Sequence, residues 1–432
     1  MSKTASKVKK IKRLLFLKDV MVIAFSAFGG PEMHLAMFQK RMVERRGYLN
    51  EQELLELYAL AQMLPGPSST QTITAMGYKF GGPFLAFLTL IIWVLPAFVF
   101  MSLFSFFFVV FDAGSTQSWF QFIQPLAVAF IVTAGLKMAM KVNKGRLRFI
   151  LMALSFTIVA LLRHRLEEYV KTPWMFPILL VGGGVVSYFL SKNDADILSD
   201  DKTRKPIKVN WTYPIVFSTI FIAAGFFARF SDTETPMRIF ILFENTYRFG
   251  TLVFGGGNVL IPMMLEQFVK AHEWIQMNEF LSGIGMNQAV PGPIFTIATF
   301  SGGLVMREFG SFWQIMGCIV GTIGIFLPGT LMIFFVYPIW DHIKRLKIIK
   351  RSLDGVVAAS SGLVLAAGYL LFLPVGFRWK ESNSFHFTNL QPTDYVNYFN
   401  IALVVVLCIL LVKIKIPTPI WVLIAIIAGI IF

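Results

Sequence analysis

Pro65-Gly66-Pro67, followed at once by Ser68, Ser69 and Thr70, interrupts an apolar, helix-like run. In hydrocarbon an unpaired backbone group costs several kcal/mol, so a helix is broken there only where protein or a polar cavity satisfies the freed groups. The helix that restarts after the break presents free N–H groups and roughly half a positive charge at its first turn, which suits an anion. Glycine lets a ligand approach the backbone closely. The three hydroxyls add donors on the same turn, and donors without a fixed full charge fit a tetrahedral oxyanion.

The arrangement occurs twice. Phe28-Gly29-Gly30-Pro31 precedes the first Pro-Gly-Pro knot, and Phe254-Gly255-Gly256-Gly257 precedes a second, Pro291-Gly292-Pro293, with the second set 226 positions after the first. At the same offset Tyr48 meets Trp274, Glu53 meets Glu279, Gln62 meets Gln288, Thr70 meets Thr296 and Gly77 meets Gly303. After an insertion of six residues, Leu95-Pro96 meets Leu327-Pro328. One knot alone reads as a kink, and glycines also serve tight helix packing. Two knots at matched spacing in a duplication read as a site. The candidate substrate-binding residues are Gly29, Gly30, Pro31, Gly66, Pro67, Ser68, Ser69, Thr70, Gly255, Gly256, Gly257, Asn258, Gly292, Pro293 and Thr296.

The elements that must position them are membrane helices. Of 432 residues 56% are hydrophobic and 15% charged, with a mean hydropathy of +0.67, which excludes a soluble chain. Thirteen apolar segments run near 14–38, 53–80, 83–111, 118–140, 146–165, 172–191, 211–230, 238–264, 279–306, 310–340, 351–374, 398–412 and 416–432. Only 191–210 and 376–397 read as sizeable polar loops, so function must be built inside the membrane. The expected fold is an all-α polytopic integral membrane protein with two homologous inverted-topology repeats and broken or re-entrant helices at the midplane. Its division is 1–210 for the first repeat with its polar linker, 211–235 for a connecting segment and 236–432 for the second repeat. Segments 14–38 and 53–80 are either crossings or hairpins. Hairpins would put the basic connector 39–50 on the N-terminal side, as the positive-inside rule asks.

The net charge of +15 follows from that rule and not from nucleic-acid binding, because the basic residues sit in connectors of mixed sign. Loops 137–148 and 341–351 carry most of it and read as cytoplasmic, as does the N-terminus, in a cell (inner) membrane protein. No cleavable leader is apparent. Cys318 and Cys408 lie at unrelated spacing, so neither a disulfide nor a metal site is expected. The sequence calls for no cofactor.

Charged residues within apolar segments are candidates for coupling. Glu32 and His34 follow the first glycine break, and Glu244 and Arg248 share a helix face before the second. A histidine titrates near neutrality and could carry a proton; the plainer alternative is a hydrogen-bonded histidine at a helix boundary. Glu244 and Arg248 could simply neutralise each other, and Lys18-Asp19 reads as an interfacial pair. There is no G-x-x-x-x-G-K-[ST] loop for ATP-driven pumping, which leaves proton coupling or exchange for a counter-anion. No H-E-x-x-H or G-x-S-x-G motif argues for an enzyme.

These residues resemble the chromate transporter family in its long, two-half form. The resemblance covers nearly the whole chain and rests on Phe28-Gly29-Gly30-Pro31 with His34, Leu64-Pro65-Gly66-Pro67 with Ser69-Thr70-Gln71, Phe254-Gly255-Gly256-Gly257 with Pro262, and Pro291-Gly292-Pro293. It departs at Ser68, where such proteins often carry Asn, and at Asn258, where they often carry an aromatic residue. The resemblance implies secondary transport of an inorganic oxyanion, chromate or the isosteric sulfate, by alternating access. A passive anion channel is the alternative, since the same helix ends could line a pore. A homo-oligomer is compatible with all of this.

Overall fold

The computed structural model describes residues 3–110, 120–142, 145–160, 172–190, 209–254, 257–340, 347–378, 395–396, 398–414 and 416–431. Among the described residues the regular structure is helical apart from two paired two-residue strands, Phe377–Arg378 and Tyr395–Val396. Among the described residues five helices are long and apolar enough to cross a bilayer. Helices satisfy their backbone groups within the segment, which is why this composition folds this way in lipid.

In the first half, α1 (Lys3–Ala24) stops before the first glycine break, and α2 (Pro31–Phe38), continued by a π-helical run to Arg45, restarts after it. Gly29 and Gly30 have φ of 91° and 83°, a region open to glycine. Pro31 takes the first helical position, where its missing N–H costs nothing. Asn50 and Glu53 form a capping box at the start of α3 (Glu51–Met63). The Pro-Gly-Pro knot ends that helix, and α4 (Ser68–Val110) restarts beyond it and kinks at Gly81–Gly82. Then follow α5 (Ile123–Val142), α6 (Arg146–Ala160), α7 (Thr172–Leu190) and α8 (Thr212–Arg229).

The second half repeats the plan. α9 (Arg238–Leu252) breaks at the second glycine motif and resumes through the turn Gly257–Val259 into α10 (Leu260–Met264) and a π-helical run, Leu265–Ala271. α11 (Met277–Asn287) breaks at the second knot and resumes through Ile294–Thr296 into α12 (Ile297–Met306). α13 (Ser311–Val336), α14 (Lys347–Gly376), α15 (Tyr398–Lys413) and α16 (Thr418–Ile431) complete the chain.

Segments 14–38 and 53–80 both double back. A straight crossing would put residues 19 and 46 about 40 Å apart at 1.5 Å per helical residue, yet Arg46 Nε lies 2.8 Å and Arg41 Nη2 2.7 Å from the buried Asp19 carboxylate. Tyr48 donates to the same carboxylate at 2.9 Å; burial and that bond push its phenol up to about 12. Lys79 Nζ meets Glu53 at 2.5 Å, closing the second doubled segment at its open end. In the second half Arg307 pairs with Glu279, and Arg238 lies 5.1 Å over the Trp274 ring. His272 stacks on Trp274 and is held below the usual imidazole range by burial and by Arg238 and Arg248.

Doubled segments use up no crossing. Among the described residues five helices, α4 beyond its kink and α5 to α8, lie between equivalent points of the two halves. An odd number of passes would turn the second half upside down. One apolar core holds both halves together, with Phe38, Trp93, Phe249, Phe268 and Phe300 fully buried. α14 lies against α6 and α7 through glycines, where a Cβ on Gly355 would meet the Gly183 carbonyl at 2.0 Å and one on Gly362 the Met152 carbonyl at 2.2 Å.

Candidate oxyanion site

The breaks of the two halves meet at one cavity of about 670 Å³. Gly29, Gly30, Pro31 and Glu32 reach it from the first glycine break, Ser68 from the first knot, Gly257 and Asn258 from the second glycine break and Ile294 from the second knot. Four helix starts thus border one space. Helix starts carry free N–H groups and partial positive charge, which suit an anion. Both members of four pairs related by the repeat offset line it: Pro31 and Gly257, Glu32 and Asn258, Gln62 and Gln288, Ser68 and Ile294. The two halves therefore both contribute to the cavity.

The halves are clasped beside it by a pair of exchanged backbone hydrogen bonds. The Gly66 N–H donates to the Val253 carbonyl at 2.7 Å, and the Gly292 N–H donates to the Ala27 carbonyl at 2.8 Å. Ala27 and Val253 are equivalent residues, freed by the breaks that follow them. Both knot glycines sit in left-handed backbone, φ 117° and 130°, where only glycine is at ease.

A side chamber of about 10 Å³, roughly the room for one water, adjoins the cavity. Pro31, Ser68, Gly257 and Ile294 are common to both linings. His34, Pro67, Ser69 and Pro293 belong to the chamber. His34 is fully buried, its ring edge-on to Trp93. Its Nδ1 is 3.0 Å from Ser69 Oγ and its Nε2 3.1 Å from the Ala27 carbonyl.

Other expected residues lie elsewhere. Thr70 accepts a hydrogen bond from Trp93 Nε1 at 3.1 Å, Thr296 bonds to Asn287 and to the Pro293 carbonyl, and neither lines the cavity or the chamber. Glu244 and Arg248 pair with each other at 2.7 Å, and Arg248 also donates to Asn245; they too are absent from both linings. Gly255 and Gly256 lie outside the described residues.

Five polar lining residues are not among the candidates from the sequence: Tyr58, Gln62, Thr133, Lys137 and Gln288. Tyr58 and Gln62 share a face of α3, and Thr133 and Lys137 a face of α5, four residues apart in each case. Lys137 reads in the sequence as part of a basic connector, but α5 runs on to Val142 and turns it to the cavity. Lys137 and Glu32 are the charged side chains among the described lining residues.

A family model described as Chromate transporter matches residues 14–188 and 240–430, once in each half. The chain belongs to the chromate transporter family. It is 26% identical over 374 residues to an uncharacterised transporter of Methanocaldococcus jannaschii, covering 85% of this chain and 87% of that one. It is 23% identical to the chromate transport protein of Pseudomonas aeruginosa, covering 78% and 76%, and 24% identical to a probable chromate transport protein of Synechococcus elongatus, covering 94% and 92%. No solved structure matches. As a member of the chromate transporter family with several apolar spans, the chain is a multi-pass membrane protein.

Proposed function

We propose that the protein is a secondary active transporter of a tetrahedral oxyanion, chromate or the equally charged sulfate, working by alternating access at the cavity between its inverted repeats. The observation that carries this reading is the meeting of four helix starts from two antiparallel halves at one polar cavity, the geometry by which broken helices bind anions in transporters. Ser68 and the backbone at Gly30, Gly257 and Ile294 would supply neutral donors, and Lys137 a cation near the mouth. Glu32 is a candidate for coupling. Glu244 and Arg248 stand as a neutralised pair away from the cavity and would act only on the motion of α9. We take 1–210, 211–235 and 236–432 as the two repeats and their connector.

Proteoliposomes tested for chromate and sulfate uptake, with proton gradients of each sign, decide the matter. Saturation with counterflow supports the transporter; current without counterflow would mean a channel. Orientation is tested separately. With 39–50 beside the N-terminus and rich in Arg and Lys, that side is cytoplasmic. The exposed Glu44, changed to Cys in a chain lacking Cys318 and Cys408, should resist an impermeant thiol reagent in intact cells and react in inverted vesicles. Labelling from outside would reverse the assignment.

A further inference from the structure

We infer that His34 and Ser69 form a proton-binding site that turns the Ser69 hydroxyl from acceptor to donor, so that a proton and the oxyanion bind together. The inference rests on the cavity being an oxyanion site.

The hydrogen-bond partners fix the resting state. A carbonyl can only accept, so Nε2, 3.1 Å from the Ala27 oxygen, carries a hydrogen. In neutral imidazole Nδ1 is then a bare acceptor, and the Ser69 hydroxyl, at 3.0 Å, must donate to it. Its single hydrogen is committed, and Ser69 offers the chamber only lone pairs, which repel an anion's oxygens. A proton from the aqueous cavity adds to Nδ1 and reverses the bond: Nδ1–H donates to Ser69 Oγ, and the hydroxyl hydrogen swings toward the chamber with no covalent bond of serine broken. One water there relays the donor to an anion at Ser68 and Gly257, which border both spaces. The imidazolium adds a full positive charge to the same side. Linkage makes the effect reciprocal, so the bound anion holds the proton by the same factor.

The second repeat argues that the pair does more than hold the fold. At the equivalent positions stand Leu260 and Phe295, both buried. The same helix break and the same clasp form there around an apolar pair, so the scaffold does not require the histidine–serine bond. Around His34, the second-repeat residues of the chamber, Gly257, Pro293, Ile294 and Phe295, bring no titratable group, and α4 brings Ser69 and Trp93. The titratable groups lining the adjoining cavity are Glu32 on its own helix, Tyr58 from α3 and Lys137 from α5.

The test is equilibrium binding of sulfate, and of selenate as a second dianion, to the full-length detergent-purified protein between pH 5.5 and 8.5, where neither probe takes up a proton. Affinity should be level near pH 8.5, where the anion binds without the proton, and rise on acidification toward about tenfold per pH unit, the slope of one coupled proton. Ser69→Ala should weaken binding about tenfold at pH 5.5 and leave it within about twofold at pH 8.5, where the hydroxyl is not a donor. His34→Leu with Ser69→Ala, a pair close to the apolar one of the second repeat, should fold and bind with no pH slope. A wild-type affinity that does not change with pH would overturn the inference, and so would an equal loss in Ser69→Ala at both pH values. If neither anion, nor chromate at pH 8.5, binds at all, the oxyanion reading itself falls and takes this one with it.

Discussion

Gly292→Ala should reduce uptake into proteoliposomes at least tenfold and lower the protein's apparent melting temperature in detergent. Two costs coincide at this position. Its φ of 130° is open to glycine and strained by about 1–3 kcal/mol for any other residue. An added Cβ would also stand 2.8 Å from the Ala97 Cβ, a contact that must move backbone, and overpacking of that kind costs about 1–3 kcal/mol. Either shift pulls the Gly292 N–H off the Ala27 carbonyl and opens the clasp at the edge of the cavity. The first half is looser toward the opposite helix, because a Cβ on Gly66 would stand 3.4 Å from Gly329 and meet the Gln71 side chain instead, where one on Gly292 meets Ala97. Adding Ala97→Gly should therefore recover part of the stability, leaving the φ strain. A Gly292→Ala protein with normal uptake and melting would show that the clasp does not hold the site.

Ser68→Ala combined with Ser69→Ala should raise the apparent binding constant for the oxyanion at least tenfold while leaving folded protein. A hydrogen bond to a charged ligand is worth about 1.5–3 kcal/mol, so the loss of Ser68 alone accounts for a factor of ten. Both residues are buried at the start of α4 and neither hydroxyl caps or bridges helices elsewhere, apart from the Ser69 bond to His34. Saturation curves for chromate and sulfate measure the shift. Unchanged affinity for both would remove the hydroxyls from the binding surface.

The breaks were legible because proline and glycine act locally. A Pro-Gly-Pro inside an apolar run stops a helix whatever surrounds it, and the repeat offset said which breaks belong together. The hairpins were half legible: the basic connector 39–50 argued for them, but the closing contacts join residues as far apart as Asp19 and Arg46, a pairing no local pattern announces. Lys137 was hidden by company. It stands beside Lys141 and Lys144, which look like a connector, and only the continued helix of α5 turns it inward. Gln62 and Gln288 match as repeat partners in the sequence, but only the fold brings both to one cavity. Thr70 and Thr296 show the converse limit. Spacing put them on the right turns, and rotation about the helix gave them to Trp93 and Asn287.

The exchanged bonds between the halves also set a timetable for synthesis. When Gly66 enters the membrane its acceptor, Val253, has not been made, and at about 5–20 residues per second the wait is roughly 10–40 s. Through that interval the first knot holds an N–H that lipid cannot satisfy. A newly inserted first half is therefore an unfinished body that insertion machinery or a chaperone must shelter, and its cavity closes only when the ribosome has passed the second knot. A chain cut in the connector 191–210 and made as two pieces should survive when both are expressed and be degraded when either is made alone.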